Sequence, residues 1–150
     1  MNESLMAAPF VVFDLEAEHQ EQVMNVLAEK LEQEGRLFDL AGYVEDVKAR
    51  EAQASTAVGM GVATPHAKSV HVKTPSLAFA RLSHPIDWDG KEQVDLVFQI
   101  AVPSPGQGDL HLKIISSLFR KMVYPEFLEK LKNAENPQEV IALVGEVKES

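Results

Sequence analysis

The period of apolar and polar positions changes several times along the chain, and each change predicts an element. Phe10 to Leu15 is a short apolar run of strand length. From His19 to Glu34, Val23, Val26, Leu27 and Leu31 recur at helical spacing, and Gly35 supplies the stop. A second helix is predicted from Leu40 to about Glu51, with Val44 and Val47 inward and Arg50 in its last turn, facing out. Thr56 to Ala63 is β-prone and punctuated by glycine, as suits one strand or two short pieces of one. Ser76 to Leu82 alternates like a strand, Ser83-His84-Pro85 reads as a turn, and Asp87-Trp88-Asp89-Gly90 is a turn signal. Val94 to Val102 is apolar except at Asp95 and Gln99, the pattern of a strand covered on both faces. After a loop rich in Pro, Gly and Ser, Asp109 is placed to cap a helix whose apolar stripe is Leu112, Ile115, Leu118, Phe119 and Met122. Pro125 to Asn133 forms a short helix, and Asn136-Pro137 opens a last one with Val140, Ile141 and Val144 inward.

This order predicts an α/β three-layer sandwich, a mixed and mostly parallel sheet with helices on both faces. At 150 residues one domain is expected over 1–150, with a core from about 10 to 147. No apolar run approaches the roughly 20 residues that span a bilayer. MNESLMAAPF lacks the basic and apolar regions of a signal peptide. The chain has no cysteine, which excludes disulfide and thiol chemistry within it and fits a cytoplasmic location. A net charge of -9 argues against nucleic acid as a partner and suits a basic protein instead.

The run GVATPH, residues 61–66, carries the candidate chemistry. Pro65 fixes its own φ and biases Thr64 toward extended backbone, so His66 is presented on a stiff, strand-ending loop. A neutral imidazole is a nucleophile near neutral pH without a strong base. With no metal-ligand spacing around it, His66 suggests a covalent carrier, with a phosphoryl group as the expected cargo. His111, in the first turn of a helix, adds free N–H groups and a positive dipole end suited to an oxyanion. Arg50 offers a planar cation that matches phosphate. Each has an ordinary alternative when taken alone: a loop histidine, a half-buried helix histidine and a solvated helix-end charge. Gly59-x-Gly61 is a fragment of a dinucleotide signature whose third glycine position holds Thr64, and it carries little weight. His66 and His71 lack zinc-site spacing, so no metal is expected. The Asp87/Asp89 pair is read as a hydrogen-bonded turn capped by a half-buried Trp88, and His19 and His84 as exposed.

AREAQASTAVGMGVATPHAK (49–68), PSLAFARL (75–82), VDLVFQIAVP (94–103), GDLHLKIISSL (108–118) and FLEKLKNAENPQEVIALV (127–144) occur in this order. On them the chain resembles the fructose/mannitol-type enzyme IIA domain of the bacterial phosphoenolpyruvate-dependent sugar phosphotransferase system. PHAK and LAFAR look more like the fructose-specific members. The resemblance implies that His66 is the phosphorylated histidine, with Arg50 and His111 beside it. It implies a phosphoryl group received from the phosphocarrier HPr at Nε2, the other ring nitrogen being held by an acceptor such as a backbone carbonyl. The group then passes to a cysteine of an enzyme IIB, which serves a membrane enzyme IIC, and no metal or organic cofactor takes part. Thr64 departs from the Ile, Val or Leu usual in the family, and Ser104 to Gly108 from an Asn-Asn-Glu type sequence. A nitrogen-type regulatory enzyme IIA, acting by phosphorylation-dependent protein binding, is the alternative, and a scaffold that no longer transfers phosphate is a third reading. The sugar and the oligomeric state are left open.

Overall fold

The structure, a computed structural model, describes residues 4–145. The expected core end at 147 and the first three residues lie outside them. After a 3-10 turn at Ala8–Phe10 come strand β1 (Val11–Leu15) and helices α1 (Gln20–Gln33) and α2 (Leu40–Gln53). Strands β2 (Val62–Ala63), β3 (His66–Ser69), β4 (Ser76–Asp87) and β5 (Gln93–Pro103) follow, then helices α3 (Leu110–Met122), α4 (Pro125–Asn133) and α5 (Pro137–Val144). The sheet runs β1-β4-β5-β2, and β3 pairs with the same edge of β5 as β2 does. The pairings β1/β4, β2/β5 and β3/β5 are parallel, whereas β4/β5 is antiparallel. The mixed, mostly parallel sheet with helices on both faces is therefore the fold.

Strand alternation sends successive side chains to opposite faces. On one face, Ala78, Ala80, Val97 and Ala101 meet Val23, Met24, Leu27, Tyr43 and Val47 of α1 and α2. On the other, Phe79, Leu96, Phe98 and Ile100 meet Ile114, Leu118, Leu131 and Val140 of α3 to α5. The first face of the sheet carries mostly small residues and the second carries phenylalanines, with Phe79 and Phe98 centred 5.0 Å apart. Tyr43 reaches through the first layer to donate to the Ile100 carbonyl (3.0 Å), and its burial pushes the phenol pKa well up.

Four local expectations change. The buried stripe of α3 is Leu110, Ile114, Leu118 and Met122, while Leu112 and Phe119 are exposed and Ile115 is only partly covered. Two apolar faces of this helix satisfy the helical period, and contact with the sheet selects one. Asp109 makes no side-chain cap; its carboxylate lies 3.7 Å from Lys113 Nζ, whereas Asn136 does cap α5 by accepting from the Glu139 N–H (3.0 Å). Ser83-His84-Pro85 lies inside β4, at a register shift between Arg81 and Ile86, beyond the last β1 partner of that strand, Leu82. Proline is tolerated there because no ladder N–H is required of it. Trp88 is buried rather than half-buried, because Glu51 accepts its indole N–H.

Candidate active site

β2 and β3 are one strand line broken in the middle. Val62 and Ala63 pair with Leu96 and Val97; His66 pairs with Ile100 and Ser69 with Pro103, at an unchanged offset. Pro65 has no N–H to give the ladder, and the Thr64 N–H turns away to the Thr56 carbonyl (3.1 Å). His66 therefore opens β3 instead of lying in a loop, which corrects the expected strand-ending loop. The ladder with β5 resumes as soon as Pro65 is passed, its carbonyl accepting from the Ile100 N–H (3.0 Å). Ahead of β2, Gly61 sits at φ +77, a left-handed backbone that favours glycine, and a Cβ there would stand 3.0 Å from Asp95 Oδ1, which would have to give way.

Alternation places Val62, His66 and Lys68 on the α3 side and Ala63 and Ala67 on the α2 side. His66 is 7% exposed. Its Nδ1 lies 2.9 Å from the Thr64 carbonyl. A carbonyl oxygen only accepts, so Nδ1 carries the proton and the lone pair is left on Nε2. Burial holds the His66 pKa below the ordinary imidazole value. The bond to Thr64 works against that, the Arg50 charge reinforces it, and the Glu51 charge opposes it.

The structure brings His111 to His66: the ring centroids are 5.9 Å apart at 31°. His111 is half-buried, and its Nδ1 is buried without a hydrogen-bond partner among the described residues. Burial also lowers its pKa, followed by the charges of His66 and Lys68; Asp109 pulls the other way, and Arg50 adds a last lowering. The helix end is less open than the sequence suggests. Leu110 donates to the Gln107 carbonyl (3.0 Å), and Leu112 and Lys113 donate to that of Asp109 (2.9 and 3.2 Å). Arg50, half-buried at the end of α2, donates through Nη1 to the Ala54 carbonyl (2.9 Å), and its charge reaches both imidazoles.

Two residues escaped the sequence reading. Lys68 follows His66 by one strand period and donates through Nζ to the Gly108 carbonyl (2.7 Å), tying β3 to the loop before α3. Glu51 is 8% exposed and continues the buried stripe of Val44 and Val47. A carboxylate at that helical spacing was the available signal. The arrangement offers one free imidazole nitrogen, a second imidazole facing it and two cations, enough to carry and neutralise a small oxyanion group.

Residues 4–147 match a family model described as "Phosphoenolpyruvate-dependent sugar phosphotransferase system, EIIA 2", and the chain belongs to that family. It is 39% identical over 117 residues to the "PTS system fructose-specific EIIA component" of Haloferax volcanii, covering 77% of this chain and 75% of that protein. It is 31% identical over 130 residues to the "PTS system 2-O-alpha-mannosyl-D-glycerate-specific EIIABC component" of Escherichia coli K12. That match covers 85% of this chain but only 20% of the relative's length. Among solved structures, nitrogen regulatory protein IIA-Ntr from Neisseria meningitidis superposes with a TM-score of 0.83 at 30% identity, over 94% of this chain and 97% of that one. No helix among the described residues is long and apolar enough to cross a membrane.

Proposed function

We propose that the protein is a phosphoryl carrier, a single cytoplasmic enzyme IIA unit that takes a phosphoryl group from phospho-HPr on His66 and hands it to a cysteine of an enzyme IIB. The observation that carries this reading is the His66 Nδ1 contact with the Thr64 carbonyl, which leaves Nε2 free, with the His111 ring centred 5.9 Å from that of His66. In the first step the Nε2 lone pair attacks phosphorus in line. The N–P bond of phospho-HPr breaks, and its electron pair returns to the HPr imidazole. In the second step the enzyme IIB thiolate forms an S–P bond, and Nε2 leaves with its lone pair restored. Arg50 neutralises charge on the equatorial oxygens and a His111 ring N–H donates a hydrogen bond to them, and the work is chiefly positioning and electrostatics. The fructose-specific relative supports fructose or a related sugar as the transported substrate. The EIIABC relative, whose name joins A, B and C parts, supports an enzyme IIB and a membrane enzyme IIC downstream.

The test is incubation with phosphoenolpyruvate, enzyme I and HPr, followed by intact mass. One acid-labile phosphoryl group is expected, and none on His66→Ala. Acceptance by that variant, or none by the folded wild type, overturns the reading. The likeness to IIA-Ntr favours a second reading, a regulatory enzyme IIA whose output is phosphorylation-dependent binding of a target protein. Onward transfer to an enzyme IIB cysteine separates the two.

A further inference from the structure

Glu51 is a buried carboxylate with no cation among the partners its hydrogen bonds show. It is held by three neutral donors: Thr56 N–H to Oε2 (2.7 Å), Thr56 Oγ1 to Oε1 (2.6 Å) and Trp88 Nε1–H to Oε2 (3.1 Å). A charge taken out of water this far is costly unless such bonds are complete, so the arrangement fixes Thr56 tightly between α2 and the β4–β5 hairpin. Thr56 is 5% exposed, and its carbonyl accepts from the Thr64 N–H (3.1 Å) and from Thr64 Oγ1 (3.4 Å). The Thr64 hydroxyl thus doubles this link. Thr64 is 3% exposed, and its carbonyl accepts from His66 Nδ1 (2.9 Å). Trp88, Glu51, Thr56, Thr64 and His66 form one chain of hydrogen bonds from the hairpin to the imidazole.

We propose that Glu51 is a positioning residue for His66: through Thr56 and Thr64 it sets the carbonyl that holds the ring as its Nδ1–H tautomer, with Nε2 free. The proposal rests on His66 being the phosphoryl acceptor. A carboxylate that only closed the loop would leave the tautomer indifferent to its removal. Glu51→Gln keeps a carbonyl oxygen for the Thr56 and Trp88 N–H groups and can donate its amide to Thr56 Oγ1, so it preserves the chain without the charge. Glu51→Ala leaves Thr56 unheld.

The experiment reads the ring nitrogen resonances of His66 in protein labelled with 15N-histidine, above the His66 pKa, beside phosphoryl transfer from phospho-HPr. Wild type is expected as the Nδ1–H tautomer. Glu51→Ala is expected to show a substantial Nε2–H population and a kcat about tenfold lower with KM for phospho-HPr unchanged. Glu51→Gln is expected to recover the tautomer. Thr56→Val keeps the backbone bond and loses one link, so a smaller Nε2–H population is expected; it serves as the second variant should Glu51→Ala fail to fold. A wild-type tautomer and rate in the folded variants overturns the proposal. A tautomer that responds in a protein accepting no phosphoryl group instead overturns the proposed function and leaves the positioning role standing.

Discussion

Behind His66, the end of α2 and the β4–β5 hairpin present Glu51, Thr56 and Trp88, buried and with every polar side-chain atom hydrogen bonded. In front of it the chemistry is left open. His111 keeps a buried Nδ1 without a partner among the described residues, and residues 105–109 are exposed. The difference separates two tasks. Orientation of a nucleophile needs a wall whose bonds are already satisfied, because unsatisfied groups would compete for the ring. Reception of a charged group needs donors whose capacity is unspent, because a preorganised unpaired donor is stabilised by the incoming oxyanion. The same residues could not serve both ends.

The comparison is broken most directly by exchanging the expected losses of the two walls. Trp88→Ala removes a buried aromatic and the third donor to Glu51, and is expected to cost about 3–5 kcal/mol of stability in urea unfolding. A cost under about 1 kcal/mol would mean that the rear wall is not a structural unit. Arg50→Ala is expected to slow phosphoryl acceptance about a hundredfold, and His111→Ala about tenfold, from loss of one hydrogen bond to a charged group. Both should leave the unfolding midpoint near that of wild type. Equal rates in both variants would remove the front wall from the chemistry.

The smallest effect is in pH. Burial lowers the pKa of both histidines from 6.5, so both stay neutral where free imidazole is partly protonated. Acceptance needs neutral His66, so its rate is expected to hold down to pH 6.5 and to fall only at lower pH. The stability contribution of the two depressed groups is fully present above 6.5 and is lost as pH falls through their folded values. Rate profiles and denaturant unfolding measured from pH 7.5 to 5 check both signs. An acid limb above pH 6.5 would contradict the burial of His66.

Much of this was legible in one dimension. The helical spacing of Val23, Leu27 and Leu31, the unbroken apolar run of β5 and the Asn136-Pro137 start each depend on neighbours a few residues away. Local periodicity reports such elements reliably. The extended backbone leading into His66 was likewise legible, because proline constrains its own and the preceding residue wherever the chain goes. Other features needed the folded sheet. The choice of Leu110 and Ile114 over Leu112 and Phe119 was made by the surface on which α3 lands. The start of β3 at His66 was made by the ladder to Ile100. The tautomer of His66 was decided by a carbonyl held through Thr56 to Glu51 and Trp88, residues 15 and 22 positions away from it on opposite sides in sequence. Sequence alone therefore determined which side chains could do chemistry and which segments could be helix or strand. Tertiary structure decided which of them meet and which nitrogen is free, because hydrogen bonds between distant segments exist only after the chain has closed the loops between them.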